Sequence, residues 1–161
     1  MITMAASALA LTLGYNIPGY MPWTPEYNFN HPSQFHNALF AVTVDKGPLF
    51  AKFAHITGND DHEGKFISGE WVRDNSETKA KNLLIGGAHY EWRSIRMFAG
   101  AGYLDHPDDI RLSGHLQFNL ALEYQIGDFS LGMEHYSNGQ QFFGGKLPNV
   151  GIDFVTLGYR L

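Results

Sequence analysis

The chain has 161 residues, a formal net charge of −5, 14% aromatic residues, 18 glycines and no cysteine. The lack of cysteine excludes a disulfide scaffold and a thiolate metal site, and without a basic patch nucleic acid is not an expected partner. Few charges combined with many aromatics and glycines are unlike the composition of a disordered chain and favour an all-β protein.

The N-terminal segment, residues 1–13, is apolar but shorter than the roughly 18 residues that a membrane-spanning helix needs. Ala8-Leu9-Ala10 has the form of a signal cleavage site, yet the first basic residue of the chain is Lys46, whereas a standard signal starts with positive charge. A signal remnant, an anchor and an apolar strand all stay open. Residues 14–35 contain four prolines and predict a loop. We therefore assign 1–35 to an N-terminal apolar segment and Pro-rich loop, and 36–161 to the folded domain.

From residue 36 onward, apolar and polar residues alternate in segments separated by turn-forming residues. This pattern is typical of antiparallel β-structure. It predicts eight strands, at residues 36–45, 49–57, 64–73, 81–92, 95–104, 112–126, 128–137 and 152–161.

Two structures fit the alternation, because strand side chains point to opposite faces with a period of two. A soluble barrel or sandwich would bury the apolar face, and an outer-membrane barrel would turn it toward lipid around a polar interior. The polar faces combine Glu and Gln with Gly, and Tyr and Trp recur near strand ends, as in the aromatic girdles of membrane barrels. We therefore predict an all-β, eight-stranded antiparallel up-and-down β-barrel of outer-membrane type. Its mean hydropathy of −0.21 is compatible with this fold, since only every second residue need be apolar.

One cluster of residues carries the components of nucleophilic catalysis. His135 and Ser137 lie on the apolar face of the seventh predicted strand, and Asp153 lies on the apolar face of the eighth. Consecutive strands should pair as a hairpin, which would bring the three side chains together at one rim. A serine nucleophile, a histidine base and a carboxylate that orients the histidine form a catalytic triad, and Asn138 could donate to an oxyanion. The alternative is a polar network that holds the 138–151 connection. The other histidines show no metal-ligand spacing, and no metal or organic cofactor is expected.

The segment His135-Tyr136-Ser137-Asn138, followed by Pro148-Asn149-Val150-Gly151-Ile152-Asp153 and a short final strand, resembles the C-terminal signature of the lipid A 3-O-deacylase (PagL) family. The motif match covers about 30 residues, with weaker similarity in strand order upstream. The resemblance implies an eight-stranded outer-membrane barrel that hydrolyses the acyl ester at position 3 of lipid A with a Ser-His-Glu triad on its outer face.

Carried over by position, the resemblance makes Ser137 the nucleophile, His135 the general base and Asp153 the counterpart of the family's Glu. Asp is one methylene shorter than Glu, so its carboxylate must come closer to the histidine. Asn138 corresponds to the oxyanion-hole residue and Asn149 to the Asn of the following loop. The connection 139–147 is longer than usual, and it contains Phe142 and Phe143, which are candidates for an acyl-chain groove or a membrane-interface anchor.

These residues predict a serine ester hydrolase of the bacterial outer membrane that acts on lipid A or lipopolysaccharide among outer-membrane lipids. A homodimer or a larger assembly stays open. The alternative function is a non-enzymatic eight-stranded barrel, a structural or adhesion protein, which includes a component of a phage virion.

Overall fold

The protein is described from a computed structural model. The structure describes residues 7–16, 37–58, 63–67, 70–74, 79–107, 112, 114–138 and 151–161, with the backbone alone for 63–67 and 70–74. Its elements are β1 (Ser7–Asn16), β2 (Ala38–Lys46), β3 (Leu49–Ile56), β4 (Glu63–Ile67), β5 (Glu70–Asp74), β6 (Lys81–Trp92), β7 (Ile95–Leu104), β8 (Leu116–Ile126), β9 (Phe129–Ser137) and β10 (Ile152–Arg160). In the described residues no helix is long and apolar enough to cross a membrane.

Eight strands form a closed barrel in the order β1-β10-β9-β8-β7-β6-β3-β2, and β4 and β5 form a separate hairpin. Every neighbouring pair is antiparallel. The predicted eight-stranded antiparallel barrel is therefore confirmed. Closure leaves the described barrel without an unpaired edge strand.

One predicted strand is wrong. Residues 64–73 do not form one barrel strand: β4 ends at Ile67 and β5 begins at Glu70, and the two pair only with each other. Between them the sequence has Ser68-Gly69, residue types that favour a turn over a continuous strand. The missing eighth strand of the barrel comes from elsewhere in the chain.

That strand is β1, so the predicted domain boundary at residue 36 is corrected. Ser7–Asn16 pairs with β10 on one side and β2 on the other. Of the three interpretations of the N-terminal apolar segment, the strand is the one observed. If β1 were absent, its neighbours β2 and β10 would be open edges. The alternating leucines of β1 also supply an outward apolar face like those of its two neighbours.

The barrel is apolar outside, and its interior combines polar residues with a cluster of buried apolar ones such as Phe50, Ile85 and Phe154. The exposed large hydrophobic residues of the described chain all have outward parity and come from all eight barrel strands, from Leu9 on β1 to Tyr159 on β10. The inward faces carry buried polar residues on every barrel strand: Thr12, Thr43, Asp45, Lys52, Lys81, Arg96, Gln117, Asn119, Glu123, Glu134 and Thr156. The two-sided pattern of the sequence therefore corresponds to an inverted arrangement in which the apolar face is the surface.

The interior is held by ion pairs across the lumen. Lys52 Nζ lies 2.9 Å from Glu134 Oε1, with side chains 1% and 0% exposed. Tyr136 donates its hydroxyl hydrogen to Glu134 Oε2 at 2.5 Å. Near the turns that join β2 to β3 and β6 to β7, Arg96 Nη2 lies 2.5 Å from Asp45 Oδ2. Because each of these four buried charges has a partner of opposite sign, their burial is compatible with a stable barrel.

Removing one member of the central pair should be costly. We expect Glu134→Ala to lower the free energy of unfolding by about 3–5 kcal/mol, because it leaves the Lys52 ammonium buried and uncompensated. Urea unfolding in detergent measures the loss. The double variant Lys52→Met/Glu134→Leu, which removes both charges and keeps apolar volume, should lose much less. Equal losses in the two variants would contradict a role for the unpaired charge.

The two ends of the barrel differ. At one end, called the turn end, tight turns at Gly47-Pro48, Arg93-Ser94 and Gly127-Asp128 join the strands. At the other, called the loop end, the connections are longer and span residues 17–37, 57–80, 105–115 and 138–151. β9 runs toward the loop end and β10 runs away from it, so His135, Ser137 and Asp153 lie at the loop end.

Candidate functional site

His135 and Asp153 form a direct pair on the outer surface. The two residues are opposite each other in the β9–β10 register, and His135 Nδ1 lies 2.8 Å from Asp153 Oδ1. The shorter Asp side chain reaches the imidazole because the register places the two backbones side by side. A carboxylate can only accept here, so Nδ1 carries the hydrogen, and in the neutral imidazole Nε2 then keeps its lone pair. This is the tautomer that a general base needs.

Ser137 lies on the same outward face, two residues further along β9. At the rise of a strand this places its Cα about 6.6 Å from that of His135. Ser137 pairs with Phe118 of β8 in the register. No hydrogen bond joins Ser137 to His135 among the described residues. In unliganded sites such contacts are commonly long and tighten with substrate. The arrangement brings Ser137, His135 and Asp153 to one patch of the rim.

The patch is one of few polar sites on the outer surface of the barrel strands. Within the eight barrel strands, the outward faces carry charged or histidine side chains only near strand ends, at Lys46, His55, His135 and Asp153. Below His135 on β9, Met133, Leu131 and Phe129 are all exposed and apolar. His135 and Asp153 are themselves only 30% and 24% exposed. Polar side chains that are half-buried beside an apolar surface are costly unless they are hydrogen-bonded. His135 and Asp153 meet this need by bonding to each other.

The backbone beneath the pair is fixed by an interior residue that the sequence interpretation did not single out. Asn16, at the end of β1, is buried and donates from Nδ2 to the carbonyl oxygen of Asp153 at 2.8 Å. Asn119 lies under His135, with Nδ2 at a long 3.4 Å from its carbonyl oxygen. Both asparagines occupy inward-facing positions that alternate with the outward-facing apolar residues of their strands. That parity is the sequence signal for their position, although it does not identify their partners.

The remaining predicted site residues divide into two groups. Asn138 directly follows β9 and is 4% exposed, so it lies in the rim beside Ser137. Asn149, Phe142 and Phe143 lie outside the described residues. In the part of the chain that the structure describes, no three His, Asp or Glu side chains come together in a geometry that could hold a metal ion.

A second polar group lies at the loop end on the strands β3, β6 and β7. His55 Nδ1 lies 2.8 Å from Asn82 Oδ1, and Asn82 donates from Nδ2 to Asp105 Oδ2 at 2.6 Å and from its backbone N–H to Asp105 Oδ1 at 2.8 Å. Burial alone would raise the pKa of the Asp105 carboxyl, but hydrogen bonds from Asn82 and His106 outweigh it and lower the pKa from 3.8 to about 2. The group contains no serine, and these hydrogen bonds join its own members to one another.

The low pKa of Asp105 makes a pH-dependent prediction. As the pH falls, this carboxyl is protonated first in the unfolded chain, so its stabilising effect is complete above about pH 4 and is lost toward pH 2. We expect the urea midpoint of wild type to exceed that of Asp105→Asn at neutral pH, with the difference vanishing over this acidic range. Asn82→Ala, which removes the side-chain donor Nδ2 and keeps the backbone N–H, should reduce part of the same acid-sensitive difference. A difference that stays constant from pH 7 to pH 2 would contradict the assignment.

Taken together, fold and site define a class of protein: a closed eight-stranded antiparallel barrel with an apolar outer surface, buried ion pairs in its interior and a His–Asp pair beside a serine on its outer rim. Compared with models of protein families, with curated proteins and with solved structures, the chain gave no match.

Proposed function

We propose that this protein is an outer-membrane esterase that removes an ester-linked acyl chain from lipid A, in the manner of the lipid A 3-O-deacylases. The observation that carries the proposal is the 2.8 Å pair of His135 and Asp153 beside Ser137, at the end of an outward face that is mainly apolar. A nucleophile, a base and an orienting acid facing outward can act on a substrate only if the substrate lies outside the barrel.

The outer surface supports a location in the bilayer. Soluble monomers rarely expose contiguous apolar patches larger than a few hundred Å², whereas here the outward faces of all eight barrel strands are apolar. Short turns at one end and long connections at the other are the usual arrangement of outer-membrane barrels. With the turn end on the periplasmic side, Ser137 would lie at the outer leaflet, where lipopolysaccharide resides.

The proposed reaction is ester hydrolysis through an acyl-enzyme. His135 Nε2 takes the Ser137 proton as Oγ attacks the ester carbonyl, and the developing imidazolium is stabilised by Asp153. Collapse of the tetrahedral intermediate releases the sugar hydroxyl, which receives that proton. Water, activated by His135, then hydrolyses the acyl-serine to a free fatty acid and regenerates Ser137. Asn138 is the proposed oxyanion donor, together with backbone N–H groups.

A lipid mass measurement tests this function. Purified protein is incorporated into vesicles that contain lipid A with an ester-linked chain at position 3, and the lipid is analysed by mass spectrometry. The expected result is loss of that chain with release of one fatty acid. Lipid A that already lacks the 3-position chain is the matched control substrate and should keep its mass. Unchanged lipid A in both vesicles would overturn the deacylase proposal.

The same preparation tests the membrane assignment separately. Outer-membrane barrels folded in detergent migrate differently on gels before and after heating, and we expect this shift here. A barrel that shows the shift but leaves lipid A intact would favour the second candidate, a non-enzymatic structural or adhesion barrel of the membrane or of a phage virion. Its support in the structure is the closed barrel with an apolar outer surface, which a structural or adhesion barrel has without any catalytic group.

A further inference from the structure

Gly151 has an unusual position at the entry to β10. Its φ is +69°, and a β-carbon there would lie 2.6 Å from His135 Cε1, 2.8 Å from the Tyr136 carbonyl oxygen and 3.1 Å from His135 Nε2. Real β-carbons do not approach other heavy atoms so closely. The backbone of this buried glycine therefore packs directly against the edge of the imidazole that carries Nε2.

Two other left-handed glycines, both at tight turns of the barrel, lack such a contact. Gly47 and Gly127 have φ values of +61° and +63°, and nothing lies within 4 Å of a β-carbon built on either of them. Glycine at those turns is explained by backbone conformation alone. At Gly151 the conformation and the contact with His135 both require it.

We propose that Gly151 is a positioning residue that holds the His135 ring against Asp153 with Nε2 turned toward Ser137. The torsion that rotates an imidazole about its stem is broad, so one hydrogen bond at Nδ1 leaves the ring free to swing. A backbone packed against the Cε1–Nε2 edge removes that freedom on one side. In its catalytic consequence the inference rests on the proposed esterase function, whereas the contact itself can be tested without it.

The catalytic test compares two glycine substitutions. Gly151→Ala places a methyl group against the ring and the Tyr136 carbonyl, so the imidazole must leave its position on Asp153. We expect kcat for lipid A hydrolysis to fall by about 10²-fold, the scale of a displacement of roughly 1 Å, with KM little changed. Gly127→Ala adds the same left-handed alanine without a contact and should keep wild-type kcat. Equal kcat in the two variants would overturn the proposal.

A stability test does not depend on activity. Urea midpoints are measured for Gly151→Ala in the wild-type background and in a His135→Ala background. We expect a clearly smaller shift when the ring is absent, because only the backbone conformation and the Tyr136 carbonyl then oppose the methyl group. If Gly151→Ala alone does not fold, recovery of folding in the double variant supports the contact. Equal shifts in the two backgrounds, or a double variant that also does not fold, would overturn it.

The outcomes also separate this inference from the proposed function. If wild-type protein leaves lipid A intact, the deacylase proposal fails, and the urea comparison still decides whether Gly151 holds the His135 ring. If wild type is active while Gly151→Ala matches it in kcat, the function stands and the positioning role of Gly151 fails.

Discussion

Ser137→Ala is expected to reduce kcat for lipid A hydrolysis by on the order of 10⁶-fold, the scale seen when a serine hydrolase loses its nucleophile. Without the hydroxyl there is no acyl-enzyme, and only binding and oxyanion stabilisation remain. Mass spectrometry of lipid A after timed incubation gives the rate. Folding of the variant is checked by heat-dependent gel migration, since Ser137 is the last residue of β9 and Ala fits a strand end.

Two comparisons make the Ser137 result specific. Ser130 lies on the same strand with inward parity, so Ser130→Ala removes an equal hydroxyl from the opposite face and should keep wild-type rate. Residues of a triad act as a unit, so Ser137→Ala/His135→Ala should lose no more activity than Ser137→Ala alone. Additive losses, or a Ser137→Ala variant as fast as wild type, would remove Ser137 from the role of nucleophile.

The sequence predicted local features of the barrel accurately. Residues 81–92 and 95–104 were predicted as strands with the bounds of β6 and β7, because the alternation there is regular and Arg93-Ser94 interrupts it. The assignment of faces also followed from parity: Leu120 and Leu122 are exposed, while Asn119 and Glu123 are buried. Parity together with hairpin pairing was sufficient to bring His135 and Asp153 together.

Closure of the barrel could not be predicted in the same way. Residues 64–73 carry a strand-like pattern, and nothing in a single sequence states that they pair only with each other. The strand that closes the barrel, β1, pairs with β10 at the far end of the chain. The hydrogen bond from Asn16 to the Asp153 carbonyl joins residues 137 positions apart. Such contacts depend on the register of every intervening strand pair, so local pattern does not encode them.

The interior partners show the same limit. Lys52 and Glu134 are 82 positions apart on strands that are not neighbours in the sheet. Parity predicts that each points inward, but their meeting depends on barrel curvature and on the stagger of the strands. Gly151 is similar: its residue type suggests a turn, and only the folded structure places it against the His135 ring.

The role of Asp153 gives a second large expected effect. Asp153→Asn should lower kcat by about 10⁴-fold, the effect of the equivalent change in a Ser-His-Asp hydrolase, with KM little altered. An amide can donate its N–H to His135 Nδ1 and thereby favour the tautomer with hydrogen on Nε2, which cannot accept the Ser137 proton. The imidazolium formed during the reaction also loses its counter-charge. Because the pair lies at 2.8 Å on directly opposed residues, the substitution changes charge and tautomer with little change in shape.

Two further variants separate this role from a structural one. Asp153→Glu keeps a carboxylate at this position on a side chain one methylene longer, and we expect its kcat to be much closer to wild type than to Asp153→Asn. Asp128→Asn, at an exposed turn on the opposite end of the barrel, loses the same charge and should keep wild-type rate. If Asp153→Asn retains wild-type kcat, the pair with His135 holds the rim together and takes no part in catalysis. Rescue by Glu but not by Asn would instead tie the carboxylate to the proton transfer itself, because both side chains can hydrogen-bond the imidazole and only one carries the charge.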